Sequence, residues 1–341
     1  MSKKIYVRSF FIVAIIVMVS SFYSLPYYVS KPGIAKELHP IIEVKNGTEE
    51  KGSFMLTTVR MGKANIYSYL IAKWSKFQEL YPVNAIRSKD ETDKEYNIRQ
   101  LQLMSSSKTA AIEVAYKNAG LPFKYEYKGV YVLNVIPNMP AENKLDAADR
   151  VFEMDGKPIQ SSDDFLELIK EKKAGEHVAL TYERENKVKN VDLTLKAFPS
   201  DNKKVGVGIV LVDDKKILVD PEVKIQTSNI GGPSAGFMFS LEIYNQLVKE
   251  DLTKGYKIAG TGTITSDGTV GRIGGIEQKI VAADRAGADI FLAPNENGAK
   301  DSNYVAAVKT AKEIDSKMKI VPINQFDEAI QYLEDLKMKN K

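Results

Sequence analysis

Two short segments, 45 positions apart, carry side chains suited to acyl chemistry. The first, Gly231-Gly232-Pro233-Ser234-Ala235-Gly236, closes a strand-like run and opens the apolar helical run FMFSLEIYNQL. Glycines such as Gly232 let backbone approach a substrate closely, and Pro233 suits a first helical turn, where its missing N–H is not needed. A serine there faces the positive end of a helix, and the free N–H groups of Ser234 and Ala235 can hold a developing oxyanion. Taken alone, such a turn also suits phosphate binding or plain chain reversal. The second segment, IGGIEQKIVAA over 273–283, opens a helix with a glycine pair and sets Lys279 among small and aliphatic residues. Lysine acts as a base only when desolvation or a nearby cation lowers its pKa, and Ile276, Ile280 and Ala283 can supply the desolvation. Taken alone, Lys279 also fits a solvated helix position.

Other chemistries have weaker support. Neither His39 nor His177 neighbours the Ser234 segment in sequence, which disfavours a serine–histidine–acid triad. Ser105-x-x-Lys108 and Ser266-Asp267-Gly268 fit fragments of penicillin-binding motifs, but no Lys-Thr-Gly accompanies them. There is no His-Glu-x-x-His and no cysteine, so no metal or other cofactor is expected. The formal net charge is +4, but residues 1–30 hold Lys3, Lys4 and Arg8 with no acid, leaving +1 for the rest. A nucleic-acid partner is therefore not expected.

The chain must position these residues with several elements. Phe10 to Val29 is an apolar stretch of about 20 residues, long enough to span a bilayer at ~1.5 Å per residue. With Lys3, Lys4 and Arg8 before it, the expectation is a cytoplasmic tail (1–9), a transmembrane signal anchor (10–29) bearing an interfacial tyrosine cluster, and everything beyond on the outer side. The bulky LPYYVSKPG offers no small-x-small cleavage site, which disfavours a removed signal peptide. Residues 30–124 show helical periodicity through Ile66, Leu70, Trp74 and Phe77 and again near Ile98 to Ala119, read as a juxtamembrane region of packed helices with Trp74 in their core. Residues 125–198 read as short strands around one helix at Ser162 to Lys173, and 199–341 as alternating strands and helices. The fold class expected is α+β multidomain.

Within 125–198 the run YKGVYV followed by NMPAENKLDAADRVFEMDGKPI resembles a bacterial-type PDZ domain. An exposed strand edge can accept an extended peptide, and the N–H groups near Gly129, Val130 and Tyr131 can receive a chain-terminal carboxylate. GPSAG and the later Gly-Gly-x-x-x-Lys helix resemble the serine and lysine segments of the Lon protease proteolytic domain. Between them, Thr261-Gly262-Thr263-Ile264-Thr265 is similar to that family's TGEIT segment. The resemblance implies a Ser234 nucleophile, a Lys279 general base, and a Thr261 hydroxyl that helps hold the lysine. Two departures stand out: Gly231 occupies a position acidic in many Lon enzymes, and no Gly-x-x-x-x-Gly-Lys-Ser/Thr motif of an ATPase module occurs. Anchor, PDZ-like domain and Lon-type peptidase in this order look like the extracytoplasmic Lon-like PDZ peptidases of Gram-positive bacteria. That resemblance implies ATP-independent cleavage of secreted peptides or membrane proteins at the outer face, and leaves room for a homo-oligomer because Lon-type domains often form rings. The competing expectation is a non-catalytic, membrane-bound PDZ adaptor.

Overall fold

The apolar run that opens the chain does not stay helical. In the computed structural model, which describes residues 3–87, 91–199, 201–227 and 230–339, helix α1 (Lys3–Ser21) stops and strand β1 (Ser24–Glu37) begins within that run. The helical share of the run, Phe10 to Ser21, is roughly 18 Å long, well short of a ~30 Å hydrocarbon core. Tyr28 and Val29, expected at a membrane boundary, are buried in a protein core. No helix among the described residues is long and apolar enough to cross a membrane. The expected transmembrane helix is therefore corrected to a short helix followed by a strand, and the single-pass topology and outer-face location that rested on it fall with it. Met1 and Ser2, part of the expected tail, lie outside the described residues.

The chain folds as two units. The first comprises Met1–Ile42, Gly47–Asp90 and Ser234–Lys341; the second comprises Glu43–Asn46 and Glu91–Pro233. In chain order the principal elements after β1 are β2 (Ser53–Asn65), α2 (Ile66–Trp74) and β3 (Glu79–Pro82). The second unit supplies α3 (Asp93–Asn118), β4 (Phe123–Val135), β5 (Arg150–Met154), α4 (Ser162–Lys170), β6 (His177–Arg184), β7 (Lys187–Thr194) and β8 (Ile209–Val219). The first unit resumes with α5 (Gly236–Leu247), β9 (Lys257–Gly260), α6 (Ile276–Arg285), β10 (Ile290–Pro294), α7 (Asn303–Glu313), β11 (Lys319–Ile323) and α8 (Phe326–Glu334).

The sheet of the first unit has the order β11-β10-β9-β2-β1-β3. Its β9, β10 and β11 run parallel, joined by crossover segments that carry α6 and α7, and β2 continues the parallel half through Phe54 opposite Ile258 and Leu56 opposite Gly260. Met55, Ala259 and Phe291 from the sheet and Ile276, Ile280 and Ala283 from α6 share one core. The apolar residues of α6 recur three and four apart, so one stripe of the helix faces the sheet. The region expected to be helical spacer thus contributes β1, β2 and β3 to this sheet. Trp74, expected in a core, ends α2 with 93% of its surface exposed, and the residue of that helix that is buried is Ala72.

In the second unit the strands run β8-β4-β5-β6-β7. Ser161 caps α4, accepting from the Asp164 N–H, and the helix then packs Phe165 and Ile169 against Val130, Val132, Leu180 and Leu193. Alternating burial along β6 reflects the side-chain period of two in a sheet with one covered face.

Candidate active site

The N-terminus of α5, the end of β9 and one face of α6 meet in the first unit. Ser234 lies in the turn just before α5 and is half-buried. Gly232, two residues earlier, has a φ of +86°, a left-handed conformation that glycine adopts without Cβ strain. Its N–H donates to the Gln100 carbonyl at 3.0 Å, and Ser107 Oγ donates to the Pro233 carbonyl at 3.0 Å, so α3 holds the residues leading to the serine. Gly232 therefore shapes the turn, while its N–H is already engaged. Among the described residues, no backbone carbonyl takes the N–H of Ser234 or Ala235. These are the orphan donors that a helix start leaves for an anion.

Lys279 stands on the sheet-facing stripe of α6 between Ile276 and Ile280 and is 2% exposed. Its Nζ lies 2.9 Å from Ser234 Oγ and 2.8 Å from Thr261 Oγ1. Thr261 directly follows β9, is itself buried, and donates its hydroxyl hydrogen to the Ser234 carbonyl at 3.0 Å. With that hydrogen committed, a Thr261 oxygen lone pair is left facing the amine, which fixes the direction of the contact. The Gly262 N–H donates to the same Ser234 carbonyl at 3.0 Å, tying the strand end to the turn. Burial pushes the Lys279 ammonium down to about 7. Among the described residues no carboxylate offsets that cost, so at mildly alkaline pH the amine is largely neutral and its lone pair can accept the serine proton.

Gly275 positions the lysine from one turn away. It opens α6 at φ +69°, its carbonyl accepts from the Lys279 N–H at 3.1 Å, and a Cβ there would stand 2.8 Å from Val59 Cγ1 on β2. Thr57 on β2 donates to the Gly260 carbonyl at 3.0 Å, beside Thr261. Residues 53–65, to which sequence reasoning assigned no chemistry, therefore brace two of the three site segments. The histidines engage elsewhere: His39 Nδ1 is 3.5 Å from Glu242 Oε1, and His177 Nδ1 is 3.3 Å from Thr194 Oγ1. Lys108 reaches the Ile225 carbonyl at 3.4 Å, with no part in a serine–lysine pair of its own.

The expected peptide edge at Gly129, Val130 and Tyr131 is not free. Val130 and Tyr131 pair with Asp213 and Val212 of β8 on one side and with Val151 and Arg150 of β5 on the other. An extended peptide cannot add there without displacing a strand. One edge strand of this sheet is β8, and at its Asp213 the Oδ1 accepts from both the N–H and the hydroxyl of Ser162 at 2.7 Å, drawing β8 to the start of α4. Further along α4 is a cavity of about 640 Å³ whose lining includes Leu166, Lys170, Phe198, Lys203, Lys204 and Val205. Sequence reasoning missed it; the signal available was the basic pair Lys203-Lys204 placed just before an alternating apolar run.

A half-buried serine touching a buried lysine at a helix N-terminus is the arrangement of a serine–lysine acyl-transfer site. Residues 198–334 match the family model of the Lon protease (S16) C-terminal proteolytic domain, and residues 118–195 match that of the PDZ domain. The chain is similar to a Lon protease of Metamycoplasma arthritidis, 30% identical over 162 residues that make up 48% of this chain and 16% of that protein. It is also similar to a Lon protease of Trichlorobacter lovleyi, 36% identical over 100 residues, 29% of this chain and 11% of the relative. It thus spans under a fifth of the length of either relative. Among solved structures, the PDZ domain of an SdrC-like protein from Listeria monocytogenes is 36% identical, covers 26% of this chain and 93% of its own, and has a TM-score of 0.24. The chain thus carries a PDZ domain followed by a Lon-type proteolytic domain.

Proposed function

We propose that this protein hydrolyses peptide bonds within unfolded or locally exposed polypeptides, with Ser234 as nucleophile and Lys279 as general base, and without nucleotide. The observation that supports this most is the 2.9 Å approach of a fully buried amine to the Ser234 hydroxyl. Neutral Lys279 takes the hydroxyl proton as Oγ attacks the peptide carbonyl, and the Ser234 and Ala235 N–H groups receive the negative oxygen. The ammonium then gives its proton to the leaving amine as the C–N bond breaks, which leaves an acyl-serine. Water, deprotonated by the same amine, hydrolyses that ester and restores both groups. Thr261 keeps Nζ aimed at Oγ through both steps.

The PDZ domain binds a peptide in the same proposal. An extended chain adds to β8 on the side away from β4, with apolar side chains against Leu166, Phe198 and Val205 and a terminal carboxylate near Lys170, Lys203 and Lys204. A cavity of about 640 Å³ is in the range of ordinary ligand pockets.

The test compares the wild type with Ser234→Ala and Lys279→Ala on an unfolded protein without ATP, reading new termini by mass spectrometry. Wild type should generate internal cleavage products, and each variant should lose about 10³-fold or more of the rate. Identical product patterns from all three would overturn the assignment and favour a purely binding role.

A further inference from the structure

Away from Ser234, three groups able to ligate a metal ion converge in the first unit. His39 sits in the turn after β1, Glu50 in the loop before β2, and Glu242 midway along α5; one donor atom from each lies within 4.8 Å of the others. Glu242 is fully buried. Its Oε1 accepts from Gln246 Nε2 and stands 3.5 Å from His39 Nδ1, whereas its buried Oε2 has no hydrogen-bond partner among the described residues. Glu50 Oε2 accepts from Asn245 Nδ2 at 3.2 Å. A buried carboxylate oxygen with no donor is costly, and a second carboxylate beside it adds repulsion.

We propose that His39, Glu50 and Glu242 bind one divalent transition-metal ion of the zinc class. The donor set is one imidazole and two carboxylates, which leaves a fourth position for water in a tetrahedral site. An imidazole donor favours zinc-like ions over magnesium or calcium, which take oxygen ligands. Donors held at about 2.0–2.2 Å from a tetrahedral ion stand roughly 3.4 Å apart; His39 Nδ1 and Glu242 Oε1 already stand 3.5 Å apart, and the remaining separations, all within 4.8 Å, need to close by at most roughly 1.4 Å. Asn245 and Gln246 orient the two carboxylates from behind, the usual work of groups around metal ligands. The ion would pin the segments on either side of residues 40–49 to the middle of α5, about 12 Å along the helix from Ser234.

The experiment uses the full-length, tag-free protein, stripped by chelator and titrated with ZnCl₂ in a calorimeter, with magnesium as the contrasting ion. One equivalent of zinc should bind, magnesium should not compete, and Glu50→Gln and Glu242→Gln should each weaken zinc binding by about 100-fold or more. His39→Ala gives the same loss from a half-exposed turn, so the proposal stays testable if a buried variant fails to fold. Absence of saturable zinc binding, or binding that survives all three substitutions, would overturn it. A wild type that binds no zinc while Glu50→Gln gains thermal stability would assign the carboxylate pair to a shared proton instead.

Discussion

Cleavage should switch on as pH rises through neutrality, because the rate depends on the fraction of Lys279 that is unprotonated. An exposed lysine titrates near 10.5, whereas burial of Lys279 brings it to about 7. At pH 8 the neutral fraction is then roughly 0.9, against roughly 0.003 for an exposed side chain, so burial multiplies the active base about 300-fold. The assay is kcat/KM on an internally quenched peptide between about pH 5.5 and 9.5, with far-ultraviolet circular dichroism at each end to show that the fold is constant. Below the lysine pKa the rate should climb about tenfold per pH unit and level off above it. Thr261→Val sharpens the test. Its lost hydroxyl accepted from the amine, a bond that favours the ammonium over the neutral form, so the acidic limb should move down by up to about one pH unit while kcat falls. A rate that keeps rising toward pH 10, or one that is flat across the range, would refute a buried lysine base.

Three further outcomes follow from the same geometry. Lys279→Met should abolish cleavage yet stabilise the fold: the native pKa lies below the unfolded one, so the unfolded chain binds more protons between about pH 7 and 10.5. The wild type should therefore gain stability across that window, and the advantage of the variant should shrink from about 5 kcal/mol below pH 7 toward zero near 10.5, measured by urea unfolding. Gly275→Ala should cost about 1–3 kcal/mol in the same assay and lower kcat, because it places a Cβ at φ +69° and 2.8 Å from Val59. Lys203→Glu with Lys204→Glu should weaken binding of a peptide with a free C-terminal carboxylate by about tenfold in fluorescence polarisation and leave its amidated counterpart less affected; equal losses for both would remove the carboxylate role.

Ser234, Thr261 and Lys279 were legible in the sequence because their signals are local. A glycine-rich turn before an apolar helix marks an anion-binding helix start, whereas Lys279 alone also suited a solvated position, and it was the pairing of its segment with GPSAG that pointed to a buried base. Strands β1 and β2 were not legible for the opposite reason. The partner of Phe54 is Ile258, contributed by a strand some two hundred residues later, and nothing near residue 54 announces it. At the N-terminus, apolar length was mistaken for helical length: hydropathy sums side chains, but the helix ends at Ser21, Pro26 falls within the following strand, and Tyr28 finds strand partners in Lys63 and Tyr81. Trp74 shows the limit of periodicity, since it continues the stripe of Ile66 and Leu70 but sits at the helix end, beyond what the core covers. The edge at Val130 was misplaced because β8, which closes it, lies about eighty residues downstream.

A lysine base imposes two conflicting demands, a dry amine and a wet, accessible serine. The fold separates them by approaching the same point from two directions. Lys279 reaches up from the sheet-facing stripe of α6, whose Ile276, Ile280 and Ala283 pack the core, so the burial that lowers its pKa comes with the packing of the domain. Ser234 arrives from outside, on a turn whose carbonyl is held by Thr261 and Gly262 while its hydroxyl stays half-open. Unlike an imidazole, the amine has no second nitrogen for an acidic partner to orient, so a third carboxylate member is not needed, and a neutral hydroxyl suits the third position better. A carboxylate there would hold the lysine charged and return its pKa toward 10.5, whereas Thr261 aims the amine without supplying the charge that would disarm it.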